Sequence, residues 1–263
     1  LPLYHPLHVA ESAAFIDIIS GGRLFLGVGA GYTKHDFEAF NIPINDRASR
    51  MDECLNVILK AWKEEAFSFE GKYYKFQGVK CVPKPIQKPY PPIWYGAWSK
   101  IGVYKAAKLG LPWLIGTPHT SDVYKQMIEM YVKTAKTFGH KPRIILERNI
   151  WIAKTMDEAE KEAEPYILDT YNYYYRVGSI NPKTDPWLKP YPQTTLTLDK
   201  LSQKRIILGG PDECIKQIEE FSREFQTEII LLKFAQVTGP SHQKVMNAIR
   251  LFGKKVIPYF KDK

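Results

Sequence analysis

The feature that most limits what this chain can fold into is its alternation. Short apolar runs of strand length alternate with stretches of helical periodicity, five or so times over. That rhythm predicts a parallel sheet with crossover helices, an α/β fold. Helices are expected over Val9–Ile19, Asp46–Ala66, from after Gly102 through Leu109, and over Ser121–Phe138, Met156–Tyr175, Pro211–Phe225 and Ser241–Phe260. Strands are expected within Arg23–Val28, at Ile93–Gly96, at Trp113–Ile115, after Arg205, and over Glu228–Lys233. A further strand lies in Arg143–Ala153, centred on either Ile144–Leu146 or Ile150–Ile152. Phe69–Tyr74 reads as a small hairpin, and the prolines from Pro83 to Pro92 force an extended crossing. Asp46 is a candidate N-cap for its helix. Open sheet and closed barrel share this rhythm.

The totals remove several function classes. Of 263 residues, 44% are hydrophobic and 25% charged, enough for a full core. No apolar run approaches the roughly 20 residues of a membrane span, and no secretory h-region opens the chain. Cys54, Cys81 and Cys214 are isolated, so neither a disulfide framework nor a metal spacing follows, and a reducing, cytoplasmic setting is the default. His35, His119, His140 and His242 share no metal-ligand spacing. No Ser-His-Asp or Cys-His set can be nominated, and the catalytic acid or base stays unassigned. The net charge of +9 is spread through every segment, without the basic stripe of a nucleic-acid binder. A basic surface also attracts an anionic cofactor.

Two turns carry the chemistry. In Ser20–Tyr32 an apolar strand runs into Gly27, Gly29 and Gly31, a G-x-G-x-G pattern distinct from the dinucleotide fingerprint. Alternating glycines at a strand's carboxyl end leave bare backbone amides where parallel α/β proteins place ligands. The bland alternative is a glycine-rich exit from a core strand. In the second turn, Tyr95–Gly102, a strand ends, Ser99 offers a hydroxyl, and the following helix offers free N–H groups. The same serine also suits a helix cap. Tyr32, Trp98 and Trp151 are candidates to wall a cavity, or to pack in a core. His5, beside Pro6, faces either a ligand or the core.

The residues His5-Pro6, Ala10-Glu11, Asp17, Ser20–Arg23, Gly27–Gly31 and Asp36-Phe37 resemble the bacterial luciferase-like monooxygenases. So do Arg47, Glu53, Lys84–Pro92, Gly209–Glu213 and the stretch from Leu251 to Pro258. The resemblance implies a TIM-type (β/α)8 barrel, one domain over residues 1–263, lacking in this chain the family's first strands, roughly two and a half of them; either the protein is longer or this chain does not close a barrel by itself. It implies FMN or the deazaflavin F420 at the carboxyl face, with Gly29, Ala30, Gly31, Trp98, Ser99 and Gly102 facing the cofactor. Tyr32 and Trp151 would line the substrate pocket. The implied chemistry is a monooxygenase reaction: reduced flavin, supplied by a separate reductase, reacts with O2 and a small organic substrate. The F420 branch passes a hydride instead, and shortened non-catalytic relatives also exist. Family members are commonly dimers. Luciferases place an arginine at the position of Ala30 to grip the flavin phosphate; Lys100 either supplies that charge or is a solvated surface lysine. Arg176–Lys204, with four prolines and no periodicity, is expected to be an insertion or a lid.

Overall fold

The computed structural model describes residues 1–261. They form two compact units, Leu1–Gly102 with Leu111–Trp113, and Val103–Gly110 with the chain from Leu114 onward.

The first unit opens with α1 (Pro6–Ile19), which packs on α3 through alanines. Ala10, Ala13 and Ala14 are buried, and small side chains let the two helices approach closely. His5 at its start is exposed, edge-on to the Tyr74 and Phe76 rings, so it is neither a core histidine nor part of the glycine turns. Gly21 and Gly22 close α1 with positive φ angles, 64° and 79°. The chain then enters β1 (Leu26–Gly29), passes through α2 (Lys34–Ala39) and a 3-10 turn at Ile44–Asp46, and forms α3 (Arg47–Lys63). Asp46 stands at the N-cap of α3 but makes no side-chain cap bond. The 3-10 turn runs straight into the helix, and its carboxylate reaches Lys72 Nζ at 3.5 Å instead. The predicted hairpin is β2 (Phe67–Glu70) against β3 (Lys75–Val79), antiparallel. The proline segment then leads to β4 (Ile93–Gly96), which pairs with β1 in parallel from Leu26↔Ile93 to Gly29↔Gly96.

Three polar residues of the family-like motifs act here as clamps. Buried Asp17 accepts from the Gln87 backbone N–H (2.9 Å) and Nε2 (2.6 Å), tying α1 to the proline segment. Glu53 accepts the backbone N–H groups of Lys72, Tyr73 and Tyr74, fixing the hairpin on α3. Lys84 Nζ donates to the carbonyls of Ala61 and Glu64, each at 2.6 Å, satisfying orphan acceptors at the end of α3.

Next in the chain are α4 (Lys100–Lys108), which starts in the first unit, and β5 (Trp113–Ile115). The second unit adds α5 (Ser121–Thr137), β6 (Ile144–Ile152), α6 (Met156–Arg176), α7 (Leu198–Ser202), β7 (Ile206–Gly209), α8 (Pro211–Phe225) and β8 (Ile229–Lys233). It ends with α9 (His242–Lys255) and α10 (Ile257–Lys261), the last helix breaking at Val256 before Pro258. The two apolar centres read in Arg143–Ala153 are one nine-residue strand. It pairs in parallel with β7 and with β8. Eight of its nine residues are buried, so it shows no alternation, and the polar stretch Glu147–Asn149 separates its two apolar ends.

The segment between α6 and α7 is anchored along its length. Ile180, Asp185, Leu188 and Leu196 are buried, and the Tyr175 hydroxyl donates to the Lys189 carbonyl at 2.7 Å. Asp185 pairs with the buried guanidinium of Arg205. His119 Nδ1 stands 3.9 Å from the same carboxylate. Burial holds the His119 imidazole down at about 4, against the upward pull of Asp185; its ordinary value is 6.5. The folded protein therefore refuses a proton that the unfolded chain accepts. Stability is full above about pH 6.5 and falls as the pH drops towards 4, by on the order of 3 kcal/mol. Urea midpoints between about pH 7 and about pH 5 should show this slope, and His119→Gln should flatten it.

Candidate functional site

The candidate site lies in the first unit, where β1 and β4 end side by side. Because Gly29 pairs with Gly96, the two carboxyl ends are level and both lack side chains. A Cβ built on Gly96 would stand 3.3 Å from the Val28 carbonyl oxygen, so glycine there lets the strands close on each other. A Cβ on Gly29 would meet nothing nearer than the Gly96 carbonyl oxygen at 3.9 Å. No side-chain atom lies within 4 Å of that point. The Gly29 carbonyl accepts from the Leu1 amino group at 2.8 Å.

After β1 the chain turns at Gly31, whose φ of +77° favours glycine. A Cβ there would also press on the Phe37 ring at 3.0 Å. Phe37 is buried on α2, so the glycine allows α2 to fold back on the turn. Ala30 is half-buried and brings no charge. Tyr32 follows, 54% exposed, and stacks on Trp98, 40% exposed, with ring centroids 5.4 Å apart and planes 23° apart. The stack joins the turn after β1 to the turn after β4. Offset aromatic pairs of this kind contribute about 0.5–1.5 kcal/mol beyond burial.

The second turn is set from below by Trp113. This fully buried indole donates Nε1–H to the Ala97 carbonyl at 2.9 Å. That bond fixes the backbone just before Trp98. Ser99 Oγ accepts the Gly102 N–H at 3.1 Å, so the serine caps α4 as its position predicts. Accepting leaves its hydroxyl hydrogen available to donate, and among the described residues no acceptor takes it. Gly102 contributes through that internal bond, and a Cβ on it would collide with Ala97 Cβ at 2.9 Å. Its amide is committed to the cap, while the Lys100 and Ile101 amides, in the first turn of α4, have no intrahelical acceptor. Ser99 and Lys100 are both exposed. The Ser99 hydroxyl hydrogen, the first amides of α4 and the exposed Lys100 make a donor set of the kind that suits a phosphate.

Of the residues singled out from the sequence, Gly29, Ala30, Gly31, Tyr32, Trp98, Ser99 and Gly102 are brought together. Trp151 belongs to the second unit. It is 2% exposed, and its indole N–H reaches Glu162 at 3.2 Å, the position of a core side chain on β6. Gly96 and Trp113 are the supports that sequence reasoning missed. Gly96 carries a signal, since it ends an apolar strand. Trp113 carries none, because its partner is a backbone carbonyl 16 residues earlier. No helix among the described residues is long and apolar enough to cross a membrane.

The oxygenase component of flavin-dependent trigonelline monooxygenase from Acinetobacter baylyi is 25% identical over 99% of this chain and 74% of its own length. The 5,10-methylenetetrahydromethanopterin reductase of Archaeoglobus fulgidus is 26% identical over 98% of this chain and 80% of its own. Among solved structures, the type II Baeyer–Villiger oxygenating constituent of 3,6-diketocamphane monooxygenase from Pseudomonas putida, in complex with FMN, superposes with a TM-score of 0.80. It is 21% identical and covers 98% of this chain and 76% of that one, which shows a shared luciferase-like fold of the (β/α)8 type. The family profile described as luciferase-like monooxygenase matches residues 1–227, and the chain belongs to that family.

Proposed function

We propose that this chain is a flavin-dependent oxidoreductase of the monooxygenase type, using reduced FMN and O2 on a small organic substrate. The observation that carries the reading is the level ending of β1 and β4 in glycines, with the Ser99 turn beside them. Family membership and FMN-using relatives support it. In this reading Ser99 donates its hydroxyl to the phosphate, and the start of α4 adds amides and its positive end. The backbone of Gly29, Ala30 and Gly31 lies along the cofactor's polyol chain without steric conflict. Trp98 and Tyr32 wall the mouth of the site and exclude water from it. Reduced flavin supplies the oxygen-activating chemistry, so the protein's task is to bind, orient and exclude water. A separate reductase delivers the reduced cofactor, and the working species is a homodimer.

F420-dependent hydride transfer is the second reading. Ala30 favours it, because no arginine stands on the first turn to hold an FMN phosphate. The archaeal reductase relative is compatible with it. Anaerobic titration of the protein with reduced FMN and, separately, with F420 distinguishes the two. Tight FMN binding is expected, and Ser99→Ala should weaken it about tenfold, the worth of one charge-assisted hydrogen bond. F420 binding without FMN binding would select the second reading. Flavin binding without substrate-dependent O2 consumption, whatever the substrate panel, would favour a non-catalytic flavin binder. An unchanged FMN affinity in Ser99→Ala would remove the phosphate from this turn.

A further inference from the structure

A cluster inside the second unit carries more positive charge than its own residues answer. Arg148, in the middle of β6, is fully buried. Its guanidinium donates from Nη1 to the Glu147 carbonyl at 2.8 Å and from Nη2 to the His119 carbonyl at 3.0 Å. It also lies over the rings of Phe221 and Phe225, 5.1 Å and 4.5 Å from their centroids. Among the described residues no carboxylate comes within ion-pair distance of it. Arg205, 5% exposed, pairs with Asp185, which is 1% exposed. The third neighbour, His119, is neutral above about pH 4 because it is buried. Two buried guanidiniums therefore share a single carboxylate. Removing charge from water is costly unless an opposite charge stands beside it.

Three of the buried polar atoms left over on this cluster are able to donate. Arg148 Nε and Arg205 Nε are buried with no hydrogen-bond partner, and so is the hydroxyl of Tyr171. Tyr171 is fully buried on α6, within Coulombic range of both guanidiniums. The two Nε–H groups can only donate, and the hydroxyl can donate as well. A water molecule would satisfy donors but leave the excess charge. Among the described residues no second carboxylate pairs with either guanidinium. From this combination we infer that a small anion of halide size completes the cluster, balancing Arg148 and Arg205 and accepting from Tyr171. The anion ties β6 to the Asp185 segment and to α6. None of these residues belongs to the glycine turns, so the inference stands or falls independently of the proposed flavin site.

The test uses the full chain, dialysed free of halide, in sodium chloride or in sodium gluconate at matched ionic strength. Chloride is expected to raise the thermal midpoint along a saturating curve, by about 5 °C or more once in roughly hundredfold excess over its dissociation constant. Gluconate, too large for a buried site, should show only the shallow effect of ionic strength. Crystals grown in sodium bromide should give an anomalous peak among Arg148, Arg205 and Tyr171. Arg148→Met removes the excess charge and should abolish the chloride curve. Should that variant not fold, Tyr171→Phe keeps the charge and loses one donor, and should raise the half-saturating chloride about five- to tenfold. A wild-type midpoint that is the same in both salts, together with no anomalous bromide in the cluster, would overturn the inference. So would a chloride curve that Tyr171→Phe leaves in place with an unchanged half-saturation.

Discussion

Asp185→Asn is expected to lower the unfolding free energy by about 3–5 kcal/mol, the usual cost of leaving a buried charge without its partner. The magnitude follows from where the pair sits. Asp185 and Arg205 are both almost wholly buried, so water cannot take the place of the lost carboxylate. Arg148 lies in the same cluster and adds a second guanidinium with no carboxylate of its own. The loss should appear as a lower urea midpoint and as faster proteolysis between residues 177 and 197, since Asp185 anchors that segment. Replacing both members, Asp185→Leu with Arg205→Met, should cost much less, because an apolar pair carries no desolvation penalty. A single-variant loss below about 1 kcal/mol would mean that the pair is hydrated in solution, and would remove the physical basis for an anchored segment.

Trp113→Ala should cost about 3–5 kcal/mol, the range for deleting a large buried aromatic side chain. The more informative variant is Trp113→Phe. It keeps most of the apolar contact but strips the Ala97 carbonyl of its 2.9 Å donor, at about 1–3 kcal/mol. Ala97 immediately precedes Trp98 and Ser99, so the freed backbone can shift the turn that offers the Ser99 hydroxyl. On the proposed reading, FMN affinity should fall in Trp113→Phe well beyond what its stability loss explains at a temperature where the variant is fully folded. Wild-type affinity in a stably folded Trp113→Phe would show that Trp113 supports the core alone.

The motif residues that mark the family read differently once folded. Asp17, Glu53 and Lys84 look like candidates for chemistry in a sequence, being polar and set in recognisable patterns. Each spends its hydrogen bonds within the first unit: Asp17 on the backbone and side chain of Gln87, Glu53 on three hairpin amides, Lys84 on two carbonyls at the end of α3. In the long crossover between β1 and β4 the buried apolar side chains are concentrated on α3. Buried or half-buried polar clamps hold the hairpin and the proline segment, because unpaired backbone groups there would be costly.

The order of helices and strands was legible from periodicity, since burial of one helical face or one strand is a local constraint that each segment must satisfy. The glycine turn after β1 and the serine turn before α4 were legible too, because positive φ and helix starts demand particular residue types. Other features depended on residues distant in the chain. That Gly29 and Gly96 end level is a matter of strand register, and the Trp113–Ala97 bond is a matter of packing. The segment from 176 to 204 shows no period, yet Asp185 meets Arg205 and Ile180, Leu188 and Leu196 are buried. Residue type and spacing constrain only what a segment does with its neighbours in sequence. Which distant groups share a buried volume, and hence which charges must be paired there, is decided when the segments pack together.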